Sequence, residues 1–126
     1  MNRANVYEKN KRGQTPLHKA AQYGNNSVIK VLLDNSSCIS AVDNDKNTPL
    51  HLALAHRGDL DTVKLLLQNS EDVKRLVNAA NKNHQTPLHI AAQHGKNSLI
   101  KVLLDNSCCV NEFDNDKNTP LHLALA

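Results

Sequence analysis

Aromatic residues are nearly absent from this 126-residue chain: Tyr7, Tyr23 and Phe113 are the full set, and there is no tryptophan. Any core must therefore be built from Leu, Val, Ile and Ala. Long apolar runs are missing too. Nothing approaches the roughly 18 residues that a membrane-spanning helix needs, and the opening MNRANVYEKN has no apolar stretch that could act as a secretion signal. The chain therefore reads as soluble and cytoplasmic, with no membrane contact. Its three cysteines, Cys38, Cys108 and Cys109, contain no CxxC, which excludes a paired disulfide framework and the usual zinc or redox spacing. An excess of one charge is likewise lacking: 15 Lys and Arg face 12 Asp and Glu, spread along the chain, for a net charge of +3. Attraction to nucleic acid or an anionic membrane surface would be weak, so neither is expected as a partner.

What the chain does have is repetition. Thr-Pro-Leu-His occurs at 15–18, 48–51, 86–89 and 119–122, at offsets of 33, 38 and 33. Residues 15–55 also align without gaps to 86–126, with 32 of 41 positions identical, so the larger unit is a pair of repeats copied once. Within a unit, Thr15 suits an N-cap, Pro16 the first helical position and Gly24 the stop after a short Ala-rich helix. A second short helix is expected over SVIKVLLDN, with Val28, Ile29, Val31, Leu32 and Leu33 on a broad apolar face and Asn35 and Ser36 ending it. The stretch CISAVDNDKN then runs extended and turn-rich into the next Thr-Pro. Helices this short are unstable alone in water because nucleation is costly, so they must stack on neighbours.

The period of 33 residues and the sequences TPLHKA, TPLHLA and TPLHIA resemble the ankyrin repeat over essentially the whole chain. The resemblance implies an all-α solenoid of stacked helix-turn-helix units with hairpin loops. A single domain over 1–126 then divides into a partial leading hairpin at 1–14, repeats at 15–47, 48–85 and 86–118, and a partial repeat at 119–126. Three features depart from the family pattern. Family members carry Gly two residues before the Thr. Only Gly13 does so here, with Lys46, His84 and Lys117 in the other places, so those hairpin tips are expected to be looser or differently shaped. Asn-Ser at 35–36, 69–70 and 106–107 replaces the Gly that ends the second helix, which suggests a left-handed Asn as the stop. The second repeat is five residues longer. One extra residue falls before Gly58 and four fall after Leu67, where Ser70 as a cap and Val73, Leu76 and Val77 at helical spacing suggest an added turn. Both ends read as cut, leaving Leu121, Leu123 and Leu125 without a cap. A monomer is expected, with self-association through that C-terminal end as the alternative.

Seven histidines invite a metal site, but His18, His51, His89 and His122 are the fourth letter of the motif. By resemblance, that His bonds the capping Thr and neighbouring loop backbone, and packed helices about 8 to 10 Å apart hold successive copies too far apart to share a zinc. His89 and His94 do not share a helical face, and no HxxxH occurs. No His or acid is fixed beside the cysteines, and there is no phosphate loop, paired carboxylate or Ser-His-Asp arrangement. No metal, no cofactor and no catalysis are expected.

In the family the ligand surface is concave, formed by hairpin tips and the exposed face of each first helix. Carried over by position, the tips are Lys11, Arg12 and Gln14; Asn44, Asp45 and Asn47; Lys82, Asn83 and Gln85; and Asn115, Asp116 and Asn118. The helix lip is Gln22 and Tyr23, then His56 and Arg57, then Gln93 and His94. Tip charges alternate basic, acidic, basic, acidic. The plainer account is that neighbouring repeats satisfy one another, and the sharper one is that the tips read a peptide of matching alternation. The expected function is a noncatalytic module that binds a partner protein. The alternative is the targeting arm of a larger enzyme or host-directed effector whose catalytic domain lies outside this chain, and the Asn- and Lys-rich bias is compatible with such an origin.

Overall fold

The computed structural model describes residues 9–34, 39–106 and 116–119. Its helices are α1 (Pro16–Tyr23), α2 (Asn26–Asp34), α3 (Pro49–Ala55), α4 (Leu60–Gln68), α5 (Val73–Val77), α6 (Pro87–Gln93) and α7 (Asn97–Asp105), and no strand occurs among the described residues. The starts of α1, α3 and α6 follow from four letters. Thr15, Thr48 and Thr86 sit in extended conformation as N-caps, their hydroxyl oxygens accept the backbone N–H of His18, His51 and His89, and proline fills the first turn. Each His then returns its ring Nδ1 to the Thr N–H, at 3.1 Å for Thr15 and Thr86 and 3.2 Å for Thr48. This is a capping box with His in the place usually held by Glu.

Packing arranges the helices in two layers. First helices stack as α1 on α3 on α6, second helices as α2 on α4 on α7, and each pair is joined within its own repeat. Ala21, Ala53 and Ala91 are fully buried in the first layer, where small side chains let the helices approach closely. Leu17, Leu50, Leu54, Ile29, Val63, Leu66 and Leu103 are fully buried between the layers. Burying a side chain of this size stabilises by about 1.5 to 3 kcal/mol, which isolated two-turn helices could not gain. The all-α solenoid implied by the repeat is thus the observed architecture.

Several local expectations need correction. On α2 only Ile29 and Leu32 are buried and Leu33 is half-buried, while Val28 and Val31 are exposed; the apolar stripe is narrower than the run of five suggested. The added turn in the long repeat forms as α5, but its cap is Asp72, whose carboxylate accepts Arg75 N–H at 3.0 Å, not Ser70. The turn is held by burial of Leu76 and Val77. Asn69 and Asn106 end their helices without entering the left-handed region, at φ −100° and −102°. Their side-chain amides instead donate to Leu65 and Val102 carbonyls at 2.8 and 2.7 Å, in the last turn of each helix. Asn35, Ser36, Ser107, the three cysteines, Asn115, Leu121, Leu123 and Leu125 lie outside the described residues.

The extra residue of the second repeat also falls one place later than the Gly58 alignment suggested. Asn25 and Lys96 each do two jobs: they donate to Ala20 and Ala91 carbonyls and accept the first bonds of α2 and α7. In the second repeat Gly58 donates to Ala53 O at 3.0 Å, while Asp59 accepts from Val63 at 3.1 Å, so the two jobs are split between neighbours.

Candidate partner-binding face

The hairpin tips all have one shape. Gly13 N–H donates to Asn10 O, Lys46 N–H to Asp43 O and His84 N–H to Asn81 O, at 3.0, 3.0 and 2.9 Å. The residue closing each turn is left-handed: Gly13 at φ 76°, Lys46 at 61° and His84 at 59°; Lys117 at 63° matches them. This is the three-residue hairpin with a left-handed fourth residue that glycine normally supplies. The tips are therefore neither looser nor differently shaped, contrary to expectation, and the strain falls on the Lys and His themselves. What holds them is an Asx clamp. Asn10 Oδ1 accepts Arg12 and Gln14 N–H at 2.9 and 3.0 Å, Asp43 Oδ1 accepts Asp45 and Asn47 at 2.9 and 2.8 Å, and Asn81 Oδ1 accepts Asn83 and Gln85 at 2.9 and 3.0 Å. The signal for it was in the sequence, an Asn or Asp five residues before every motif Thr: Asn10, Asp43, Asn81 and Asp114.

Tips and helices are tied across repeats by the motif histidines. His18 Nε2 donates to Asn47 O at 2.8 Å, His51 to Gln85 O at 2.9 Å and His89 to Asn118 O at 3.0 Å, with Nδ1 already accepting from the Thr N–H. Both ring nitrogens of each are thus engaged, and a metal could bind only by displacing a cap or a bridge. Burial pushes His51 down from 6.5 to about 4 against the opposing pull of the Gln85 carbonyl, and it lowers His18 in the same direction. These rings are held neutral, as the bridge geometry requires. Neighbouring tips also bond directly: Asn44 N–H to Arg12 O at 2.9 Å, Asn44 Nδ2 to Lys11 O at 3.1 Å and Lys82 N–H to Asp45 O at 2.8 Å.

Two adjoining open grooves lie between the tips and the first helices. One, of about 500 Å³, is lined by Lys11, Arg12, Gln14, Gln22, Asn44, Asp45, Asn47 and His56, together with Asp43 and Leu52. The other, of about 340 Å³, shares Asp45, Asn47, Leu52 and His56 and adds Lys82, Asn83, Gln85 and Ile90. The structure thus gathers eleven of the eighteen tip and lip residues around two connected depressions. Tyr23, Arg57, Gln93 and His94 line neither groove. Tyr23 is exposed with the Lys19 ammonium 5.3 Å from its ring centre, and Gln93 and His94 are exposed at the end of α6. Counted from the motif Thr, His56 stands level with Tyr23 and His94, whereas Arg57 stands level with Gly24 and Gly95 and its N–H is bonded to Gln22 O at 2.9 Å. Arg57 therefore belongs to the inter-helix turn, and Ala55 with His56 completes the lip.

Two features escaped the sequence reading. Gln22 Oε1 is buried beside the first groove and has no hydrogen-bond partner. Lys96 reaches back across a repeat boundary, its ammonium donating to the carbonyls of His56, Ala53 and Gly58 at 2.6, 3.3 and 3.4 Å. Burial lowers the Lys96 pKa, and burial followed by His94, Lys96 and Lys19 lowers that of His56.

Capped helix pairs in two layers, with hairpins projecting from one edge and histidine bridges between units, define a helical-repeat solenoid. A family model of ankyrin repeats (3 copies) matches residues 1–75 and 68–126, and the chain belongs to the ankyrin-repeat family. It is similar to the transient receptor potential cation channel subfamily A member 1 of Homo sapiens, 35% identical over 121 residues that make up 94% of this chain and 10% of the channel. The Drosophila melanogaster channel of the same name is 33% identical over 115 residues, 90% of this chain and 10% of its own length. Alpha-latrotoxin-Lh1a of Latrodectus hasselti is 35% identical over 126 residues, 97% of this chain and 9% of the toxin. The chain spans about a tenth of the curated relatives it matches. Ankyrin repeats generally mediate protein–protein interaction and are typically noncatalytic. Among the described residues no helix is long and apolar enough to cross a membrane.

Proposed function

We propose that the chain is a noncatalytic module that binds a partner protein through the face formed by the hairpin tips and the first helices. The observation that carries this reading is the pair of connected grooves, open to solvent and lined by residues that vary from repeat to repeat while the motif residues behind them do not. Packing explains Leu17, Leu50 and Leu88, bridging explains the motif histidines, and bonds within and between tips explain Gln14, Asn44, Asn47 and Gln85; none of these explains Gln22, His56 or the charged tip side chains Lys11, Arg12, Asp45 and Lys82. The site of action is proposed to be cytoplasmic, with the host cytosol as the variant if the protein is exported. The length of the channels and toxins that carry similar stretches supports a second reading, in which these repeats are one arm of a larger protein, an enzyme or effector among the options.

The test is a peptide selected from a display library against the purified chain. His56→Ala and Gln22→Ala should weaken its binding severalfold, whereas Lys64→Ala and Lys101→Ala, exposed on the second helices, should leave it unchanged. The reverse pattern would overturn the assignment of the face.

A further inference from the structure

The charges of the first three tips do not satisfy one another. Among the described residues, the side chains of Lys11, Arg12, Asp45 and Lys82 make no ion pair, although backbone bonds hold the tips side by side. The plainer account of the alternation, mutual neutralisation between repeats, therefore has no contact behind it. What remains is a row of unpaired charges along the edge of two connected grooves: basic at the first tip, acidic at the second, where Asp45 lines both grooves and the exposed Lys46 lines neither, and basic at the third. The first of these grooves, lined by Lys11, Arg12 and Asp45, also holds an unpaired buried acceptor, Gln22 Oε1.

We propose that this row reads an extended segment of the partner protein carrying acidic, basic and acidic side chains at three-residue intervals, the acidic ones opposite Lys11 with Arg12 and opposite Lys82, the basic one opposite Asp45. The proposal rests on the reading of this face as the partner-binding surface. The interval follows from two lengths: stacked repeats advance by about 8 to 10 Å, the separation of packed helices, and an extended chain rises roughly 3.3 Å per residue, so about three residues span one repeat. The pattern reads the same in both chain directions. A lysine or arginine in the central place also brings N–H donors into the groove holding Gln22 Oε1, and an unpaired buried acceptor favours a ligand that supplies one. A nucleic acid suits the row less well, because a uniform polyanion would set phosphates against Asp45 and the Asp43 carboxylate behind it.

Fluorescence anisotropy with the full 126-residue chain and two labelled peptides of one composition tests this. Glu-Ser-Thr-Lys-Ser-Thr-Glu carries the pattern, and Glu-Glu-Ser-Thr-Ser-Thr-Lys breaks it at equal net charge. At low salt the patterned peptide should bind about tenfold more tightly, the sum of a few exposed charge pairs, and the gap should close at high salt. Asp45→Lys should abolish the preference and Asp45→Asn reduce it, while Asp61→Lys on the outer face of α4 should not change it; melting curves check that each variant is folded. Equal binding of the two peptides, or a preference that survives Asp45→Lys, overturns the proposal. So does a single-stranded oligonucleotide that binds more tightly than the patterned peptide and is weakened by Lys11→Ala. If the peptides are not distinguished while the display-selected peptide still depends on His56, the charge pattern fails and the face stands. If that peptide depends only on the second helices, the face itself fails.

Discussion

The two repeat boundaries seal the ends of their first helices by different means, although the flanking sequences are nearly copies. At the boundary between α1 and α3, the left-handed Gly24 lies so close to the next turn that a methyl group there would sit 2.6 Å from the Arg57 carbonyl oxygen, and Arg57 N–H bonds Gln22 O. Backbone meets backbone. At the boundary between α3 and α6 the residue in the place of Gly24 is Arg57; Gly95, left-handed at φ 64°, ends α6 and matches the Arg57 side, and a methyl group there would meet nothing within 4 Å among the described residues. The seal is made instead by the Lys96 ammonium on three carbonyls at the end of α3. The extra residue at Gly58–Asp59 lies between the two, and the turn it lengthens presents the carbonyls of His56 and Gly58 to Lys96. A similar sequence thus takes on a different role according to what its neighbour in the stack presents.

Three experiments would sharpen or break this comparison. The largest effect is expected from Gly24→Ala, which combines left-handed strain with a clash against backbone and should destabilise by about 2 to 4 kcal/mol. Gly95→Ala, with the strain alone, should cost about 1 kcal/mol. Equal urea midpoints for the two variants would mean that the close approach at the first boundary is not real.

Acid comes next. His18 bridges the first boundary and His51 the second, and burial lowers both. The unfolded chain therefore takes up these protons first as pH falls. Stability should be level above pH 6.5 and decline from there to about 4, the value to which His51 is lowered, at a slope on the order of 1 kcal/mol per pH unit per histidine. Urea midpoints measured in steps across that window should fall, and His51→Gln should flatten the slope; an unchanged slope in that variant would show that the second bridge is not held neutral. The smallest effect is expected from Lys96→Met, which keeps the stem but removes the donor. Loss of about 1 to 2 kcal/mol is expected because the freed carbonyls are only partly rehydrated, and amide exchange should quicken at Gly58, whose N–H lies in the same turn. Asn25→Met, at the matching place two repeats earlier, should not quicken exchange at Arg57.

The sequence went furthest where structure is local. Thr15, Pro16 and His18 are within one turn of each other, so cap, first turn and ring contact are settled inside four residues, and repetition at 33 residues told which units must stack. The added helix at Val73–Val77 was legible for the same reason, although its cap moved from Ser70 to Asp72 because the carboxylate of Asp72 is the one that meets Arg75 N–H. Reading failed where a residue's partner lies in another repeat. The buried stripe of α2 shrank to Ile29 and Leu32, since packing against α1 and against α4 of the next repeat together decides which side of a short helix is covered. On the candidate site, the tip residues were named from position, but the register of His56 and Arg57 and the isolation of the charges were not visible.

The linear order of residues by itself determined the units of this protein: capped two-turn helices, clamped hairpins carrying Lys or His at positive φ, and a spacing that obliges the helices to stack. Those outcomes rest on bonds between residues two to five apart, so each copy of the sequence specifies them locally once stacking holds its short helices. The tertiary structure alone decided which charges stay unpaired, which lysine closes a helix end and where Gln22 is left without a donor. These depend on distances between groups some 33 to 43 residues apart, as between the Lys96 ammonium and the Ala53 carbonyl, which are set by how closely one unit packs on the next.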